Sequence, residues 1–96
     1  MGVVRWSDEA ERDLVEILDF IAQQNPAAAD RMQALFSQAV KNLRDHPLIY
    51  REGRVSGTRE IVVHPNYVLI YRIGAGGLQR VEGAAHVFGP ASDPGR

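Results

Sequence analysis

The chain has no cysteine, so disulfides and thiolate metal sites are excluded. Histidine is scarce as well. His46, His64 and His86 include no pair at the spacing of a metal site, and the first two are each followed by proline. No apolar run approaches the roughly 18 residues that mark a membrane span. The opening Met1-Gly2-Val3-Val4-Arg5 lacks a signal-peptide pattern. These absences predict a soluble, cytoplasmic protein with no metal, no cofactor and no membrane contact.

What is present reads as one small globular domain. The 96 residues are 45% hydrophobic and 24% charged, with a net charge of −1 that argues against a general nucleic-acid binder. The charge is unevenly distributed. Residues 1–50 carry five Lys/Arg against eight Asp/Glu, whereas residues 51–96 carry six Arg against four Asp/Glu. Every cation of the second half is arginine, the side chain suited to bidentate contact with phosphate or carboxylate. That bias predicts a polar working surface in the second half; the plain alternative is a solvated sheet face.

The pattern of elements follows from caps and periodicity. Val3–Trp6 is strand-like, and Ser7 stands as an N-cap before Asp8, Glu9 and Glu11, which suit the positive end of a helix. Ala10, Leu14, Ile17, Leu18 and Ile21 form one helical stripe. Asn25-Pro26 ends that helix and opens a second, whose stripe is Met32, Leu35, Phe36, Ala39, Val40 and Leu43, ending near His46-Pro47. A link this short predicts an antiparallel helical hairpin, which needs a sheet to cover its apolar stripes. Thr58–Val63 and Tyr67–Ile73 are β-branched and aromatic around the turn His64-Pro65-Asn66, and a weaker strand runs from Leu78 to Val87 after a glycine-rich turn. The expected fold is α+β in the order βααβββ, a helical hairpin on a small, mainly antiparallel sheet. Its expected extent is residues 1–88, with 89–96 a loose tail.

Four segments in this order resemble the RelE/ParE superfamily of toxins from type II toxin–antitoxin systems. They are Trp6–Leu14 with Ile17 and Phe20-Ile21-Ala22, then Asn25–Ala29, then His46-Pro47 with Gly53–Val63, and finally Tyr67–Ile73. The resemblance covers roughly residues 3–88. It implies the βααβββ fold, growth inhibition, and neutralisation by a cognate antitoxin. It also implies one of two actions: RelE-like cutting of messenger RNA on the ribosome, or ParE-like poisoning of DNA gyrase.

RNA cleavage by 2′-hydroxyl attack needs a base, an acid and cationic donors around the phosphorane. The candidates, by resemblance to RelE-like members, are Arg54, Arg59, Arg72 and His86, with Arg51 beside them. His86 is the histidine not tied to a proline turn, and an imidazole titrating near pH 6.5 suits proton transfer. Against this, Val68 occupies the place of a strand arginine that ribonuclease members tend to carry. Gly83 stands where many relatives have an arginine three residues before a late histidine, and Val87-Phe88-Gly89-Pro90 replaces a Gln-x-Trp-Pro-like ending. The ParE-like reading is therefore preferred, with the ribosome-dependent endoribonuclease and an inactive homologue kept as alternatives. Structural readings stand beside these functional ones. Arg59 is as easily a bridge to Asp13 or Glu16, and Tyr67 and Tyr71 share a core-facing side with Leu69 and Ile73. Gly83-Ala84-Ala85 is poor in packing volume, and reads either as a groove where an antitoxin segment lies down, as a helix or an added strand, or as the mark of a degenerate toxin with reduced activity.

Overall fold

A computed structural model describes residues 4–87 of the chain. The order is β1 (Val4–Trp6), α1 (Asp8–Gln24), α2 (Pro26–Asp45), β2 (Arg51–Glu52), β3 (Arg59–His64), β4 (Tyr67–Ile73), a short 3-10 turn (Ala75–Gly77) and β5 (Gln79–His86). This is the expected α+β arrangement with one addition, the two-residue β2. A dipeptide at a sheet edge leaves no periodic signature in the sequence. The expected tail 89–96 lies outside the described residues.

The caps explain the helical hairpin. Ser7 Oγ accepts the amide of Ala10 at 3.0 Å, and Asn25 Oδ1 accepts that of Ala28 at 3.1 Å. Asn25 also closes the preceding helix, its own amide donating to the Ile21 carbonyl at 2.8 Å. One extended residue thus ends α1 and starts α2, with Pro26 at the first helical position, where its missing donor costs nothing.

The five strands form one sheet in the order β1-β5-β4-β3-β2. β1 runs parallel to β5, and the remaining neighbours are antiparallel. Both helices pack on one face. There Ile17, Met32, Phe36, Ala39 and Leu43 meet Ile61, Tyr67, Leu69, Tyr71 and Val81, with Trp6, Leu14 and Val40 at the margin. Tyr67 and Tyr71 are core residues, as their alternation predicts.

The other sheet face is covered by the chain itself. Thr58, Glu60, Val68 and Ala85 are buried there although none touches a helix stripe. Segment 53–58 closes on itself, with Gly53 donating to the Thr58 carbonyl at 2.8 Å and Thr58 Oγ1 donating to the Val55 carbonyl at 2.6 Å, and lies against this face, where Arg54 reaches Glu60 and the His86 carbonyl. A β-bulge leaves Glu82 without a partner across from β4, between the pairs Ile70↔Gly83 and Tyr71↔Val81.

Candidate functional site

The arginines singled out in the sequence are held by internal acceptors. Glu60 lies on β3 on the face away from the helices and is 3% exposed. Its carboxylate accepts from Arg51 at 3.1 Å and from the Arg54 backbone amide at 3.1 Å, and forms an ion pair with the Arg54 guanidinium at 3.2 Å. The same Arg54 guanidinium donates to the His86 carbonyl at 3.4 Å and to the Val87 carbonyl. β4 lies between β3 and β5, so Arg54 spans the middle strand. Val68, paired with Val62 and Ala85 in that region, is fully buried.

Arg59 does not reach Asp13 or Glu16, the helix carboxylates proposed for it. Its position opposite Tyr71 places it on the helix side at the sheet margin. There its Nη1 donates to the carbonyls of Leu48 at 3.3 Å and Tyr50 at 2.9 Å. Tyr71 adds a third tie, its hydroxyl donating to the Pro47 carbonyl, while Tyr50 meets Tyr71 edge to face at 6.3 Å. Burial pushes the Tyr71 phenol up to about 12, partly opposed by the Arg59 charge and slightly reinforced by Tyr50.

Arg72 is on the opposite face to Arg59. Its Nε is 4.0 Å from Glu82 Oε2, a carboxylate it shares with Arg80 at 3.6 Å. Gly57, at φ +84°, lets the loop pass this side chain; a Cβ there would stand 2.6 Å from Arg72 Nη1. His86 is exposed, with its ring 4.7 Å from that of Tyr67. His86 pairs with Tyr67 and Arg80 with Arg72, five steps apart along β4, or roughly 16 Å at strand rise. The structure brings Arg54 to the backbone of His86. It leaves Arg72 at the far end of the sheet and Arg59 behind it.

A groove lies at Gly83-Ala84-Ala85. It measures about 260 Å³ and has Val55, Ile70, Ala84 and Ala85 as apolar wall, with Glu9, Asp13, Glu82 and Arg72 around it. Asp13 Oδ2 accepts the Ala84 amide at 3.3 Å. β1 pairs only with residues 79–81 of β5, so this carboxylate caps an edge amide that no strand satisfies. Neither Glu60 nor Asp13 was singled out as an organising residue in the sequence. The only local signal for Glu60 is a carboxylate interrupting an otherwise apolar strand.

Known proteins share this architecture and sequence. Residues 4–88 match the family model described as ParE toxin of type II toxin-antitoxin system, parDE. The Y4kP protein of Sinorhizobium fredii is 39% identical over 71 residues, covering 73% of this chain and 74% of that protein. Toxin RelE2 of Caulobacter vibrioides is 37% identical over 78 residues, covering 79% of this chain and 85% of that toxin. Among solved structures, the chromosomal ParDE toxin–antitoxin system from P. aeruginosa superposes with a TM-score of 0.76 at 20% identity. That match spans 91% of this chain and 97% of the other. The chain belongs to the ParE toxin family of type II toxin–antitoxin systems, within the RelE/ParE superfamily.

Proposed function

We propose that this toxin acts in the ParE manner, by binding DNA gyrase, and that a cognate antitoxin holds it inactive. The observation that carries this reading is the state of its cations. A phosphorane needs donors free to converge on it. Here Arg51 and Arg54 share the Glu60 carboxylate, Arg59 caps loop carbonyls, and Arg72 faces Glu82. Val68 is fully buried, and the room beside Gly83 is taken by Asp13, an anion. Carboxylates at 9, 13 and 82 around the groove would repel an RNA backbone.

The antitoxin reading is supported by apolar surface that the sheet does not cover. A second groove of about 250 Å³ lies between the helices and β1, lined by Trp6, Leu14, Gln33, Phe36, Ser37 and Val40. It suits a segment that folds as it binds, with apolar side chains entering between the two helices.

The test has two arms. RNA 5′ ends are mapped in a bacterial host shortly after induction, and the purified toxin is titrated into a gyrase supercoiling assay. Growth arrest with supercoiling inhibited and no codon-phased ends is the expected result, unchanged by Arg72→Ala or His86→Ala. Phased ends that disappear with either substitution would replace this reading by a ribosome-dependent endoribonuclease using Arg54, Arg59, Arg72 and His86. Normal growth on full induction would point to an inactive homologue.

A further inference from the structure

The connection between α2 and β2 is short, strongly held and apolar at its tip. Three of its carbonyls, those of Pro47, Leu48 and Tyr50, are gripped from the sheet by the Tyr71 hydroxyl and the Arg59 guanidinium. Pro47 restricts the backbone further. Yet Leu48 and Ile49, which this framework holds out, are 69% and 70% exposed, the most exposed of the large apolar side chains among the described residues. An unconstrained loop would let two adjacent aliphatic side chains fold back onto the surface. Here the backbone grip keeps them displayed.

We propose that Leu48 and Ile49 form a preorganised apolar knob by which the toxin engages a preformed pocket on its folded protein target. Shape selects that occupant. A disordered antitoxin segment has no pocket before it binds, and it is better received by the grooves described above. A folded target can offer a cavity, and an anchor already ordered loses little freedom on entering one. The surroundings match as well. Of the nearby cations, Arg44 pairs with Asp45 at 3.7 Å, Arg51 pairs with Glu60 at 3.1 Å, and Arg59 is turned inward onto the Leu48 and Tyr50 carbonyls, so the apolar tip has polar neighbours that are already engaged, as at the core and rim of a protein–protein interface. An anionic membrane surface would call for an unpaired basic rim. A second copy of this chain is disfavoured by area, since two aliphatic tips offer on the order of 200 Å² against about 800 Å² per partner in a stable interface. The assignment gives Arg59 and Tyr71 positioning roles. It rests on the gyrase reading only for the name of the target.

The test compares the wild-type toxin with the Leu48→Ser/Ile49→Ser double variant in two assays, inhibition of purified gyrase and loss of colony formation on induction. Both side chains are mostly solvated, so the variant should keep its melting temperature and its co-purification with the antitoxin. The expected result is at least a ~30-fold rise in half-inhibitory concentration, with growth arrest lost in parallel. Tyr71→Phe leaves the tip chemically intact and frees one carbonyl, and should raise the half-inhibitory concentration by roughly 3–10-fold through a less ordered anchor. A wild-type toxin that arrests growth without inhibiting gyrase removes the gyrase reading alone; colony formation then still judges the knob. Full toxicity of a folded double variant overturns the knob, as does a wild-type chain without any toxicity. Three further results would reassign it and equally overturn the proposal: loss of antitoxin co-purification, loss of a wild-type dimer in sedimentation, or loss of wild-type binding to phosphatidylglycerol vesicles.

Discussion

Asp13 of the first helix and Gly83 of the last strand are packed so closely that a Cβ on Gly83 would stand 3.1 Å from Asp13 Oδ2. The carboxylate is there because the neighbouring Ala84 amide has no strand to pair with. Helix and strand therefore constrain each other. Gly83→Ala forces the carboxylate to retreat from its hydrogen bond, while Asp13→Ala alone leaves the amide unpaired at a cost of about 1–2 kcal/mol. In a double-mutant cycle followed by urea unfolding, Gly83→Ala should cost less once Asp13 is alanine, with a coupling of about 0.5–1 kcal/mol. Strict additivity would show that the two residues do not constrain one another.

Glu60 is the most deeply buried of the charged groups among the described residues. Glu60→Ala should cost about 2–4 kcal/mol, because Arg54 keeps a side chain only 26% exposed and loses its carboxylate, while Arg51, 54% exposed, can turn to water. Arg51→Ala should accordingly cost under about 1 kcal/mol and Arg54→Ala clearly more. Equal costs for the two arginines in denaturant unfolding would contradict this ordering.

Tyr71 makes stability depend on alkali. Its phenol titrates near 12 in the folded protein, raised chiefly by burial, against about 10 unfolded. The folded state therefore holds this proton more tightly. The resulting contribution is fully present below pH 10 and is lost as pH rises from 10 towards 12, on the order of 2–3 kcal/mol. Melting curves of wild type and Tyr71→Phe between pH 8 and pH 12 should show a steeper decline for wild type above pH 10. Parallel declines would remove Tyr71 as the cause.

Ser7 ties helix and sheet together through one hydroxyl, which accepts from Ala10 at 3.0 Å and donates to the Glu82 carbonyl at 3.3 Å. Ser7→Ala should cost about 1–2 kcal/mol, a fall of roughly 5–10 °C in melting temperature for a domain of this size. Asn25→Ala, which removes a solvent-exposed cap bond, should cost less. A larger loss for Asn25→Ala by calorimetry would show that the contact between Ser7 and β5 carries little.

Much of this protein follows from local chemistry and was legible in order of sequence. Ser7 and Asn25 announce both helices, since a side chain that satisfies orphan amides does so within three residues. The core sides of the helices and of β4 follow from periods of 3.6 and 2, which is why Phe36, Leu43, Leu69 and Tyr71 could be placed in the interior from pattern alone. Neighbours in space but distant in sequence are a different matter. Nothing near Glu60 announces that Arg51 and Arg54 converge on it, nor does anything near Asp13 announce the Ala84 amide 71 residues away. Whether an arginine is a free cation or a structural tie depends on which acceptors the sheet order brings within hydrogen-bond reach. Pairing β5 beside β4, with segment 53–58 folded across them, is what engages Arg54. Bringing Tyr71 and Arg59 beneath residues 47–50 is what holds Leu48 and Ile49 out in the solvent. Sequence alone determined the helices, the longer strands and their buried sides, because those depend on near neighbours; tertiary structure decided the edge strand β2 and which charges remain free to act, because those depend on long-range register.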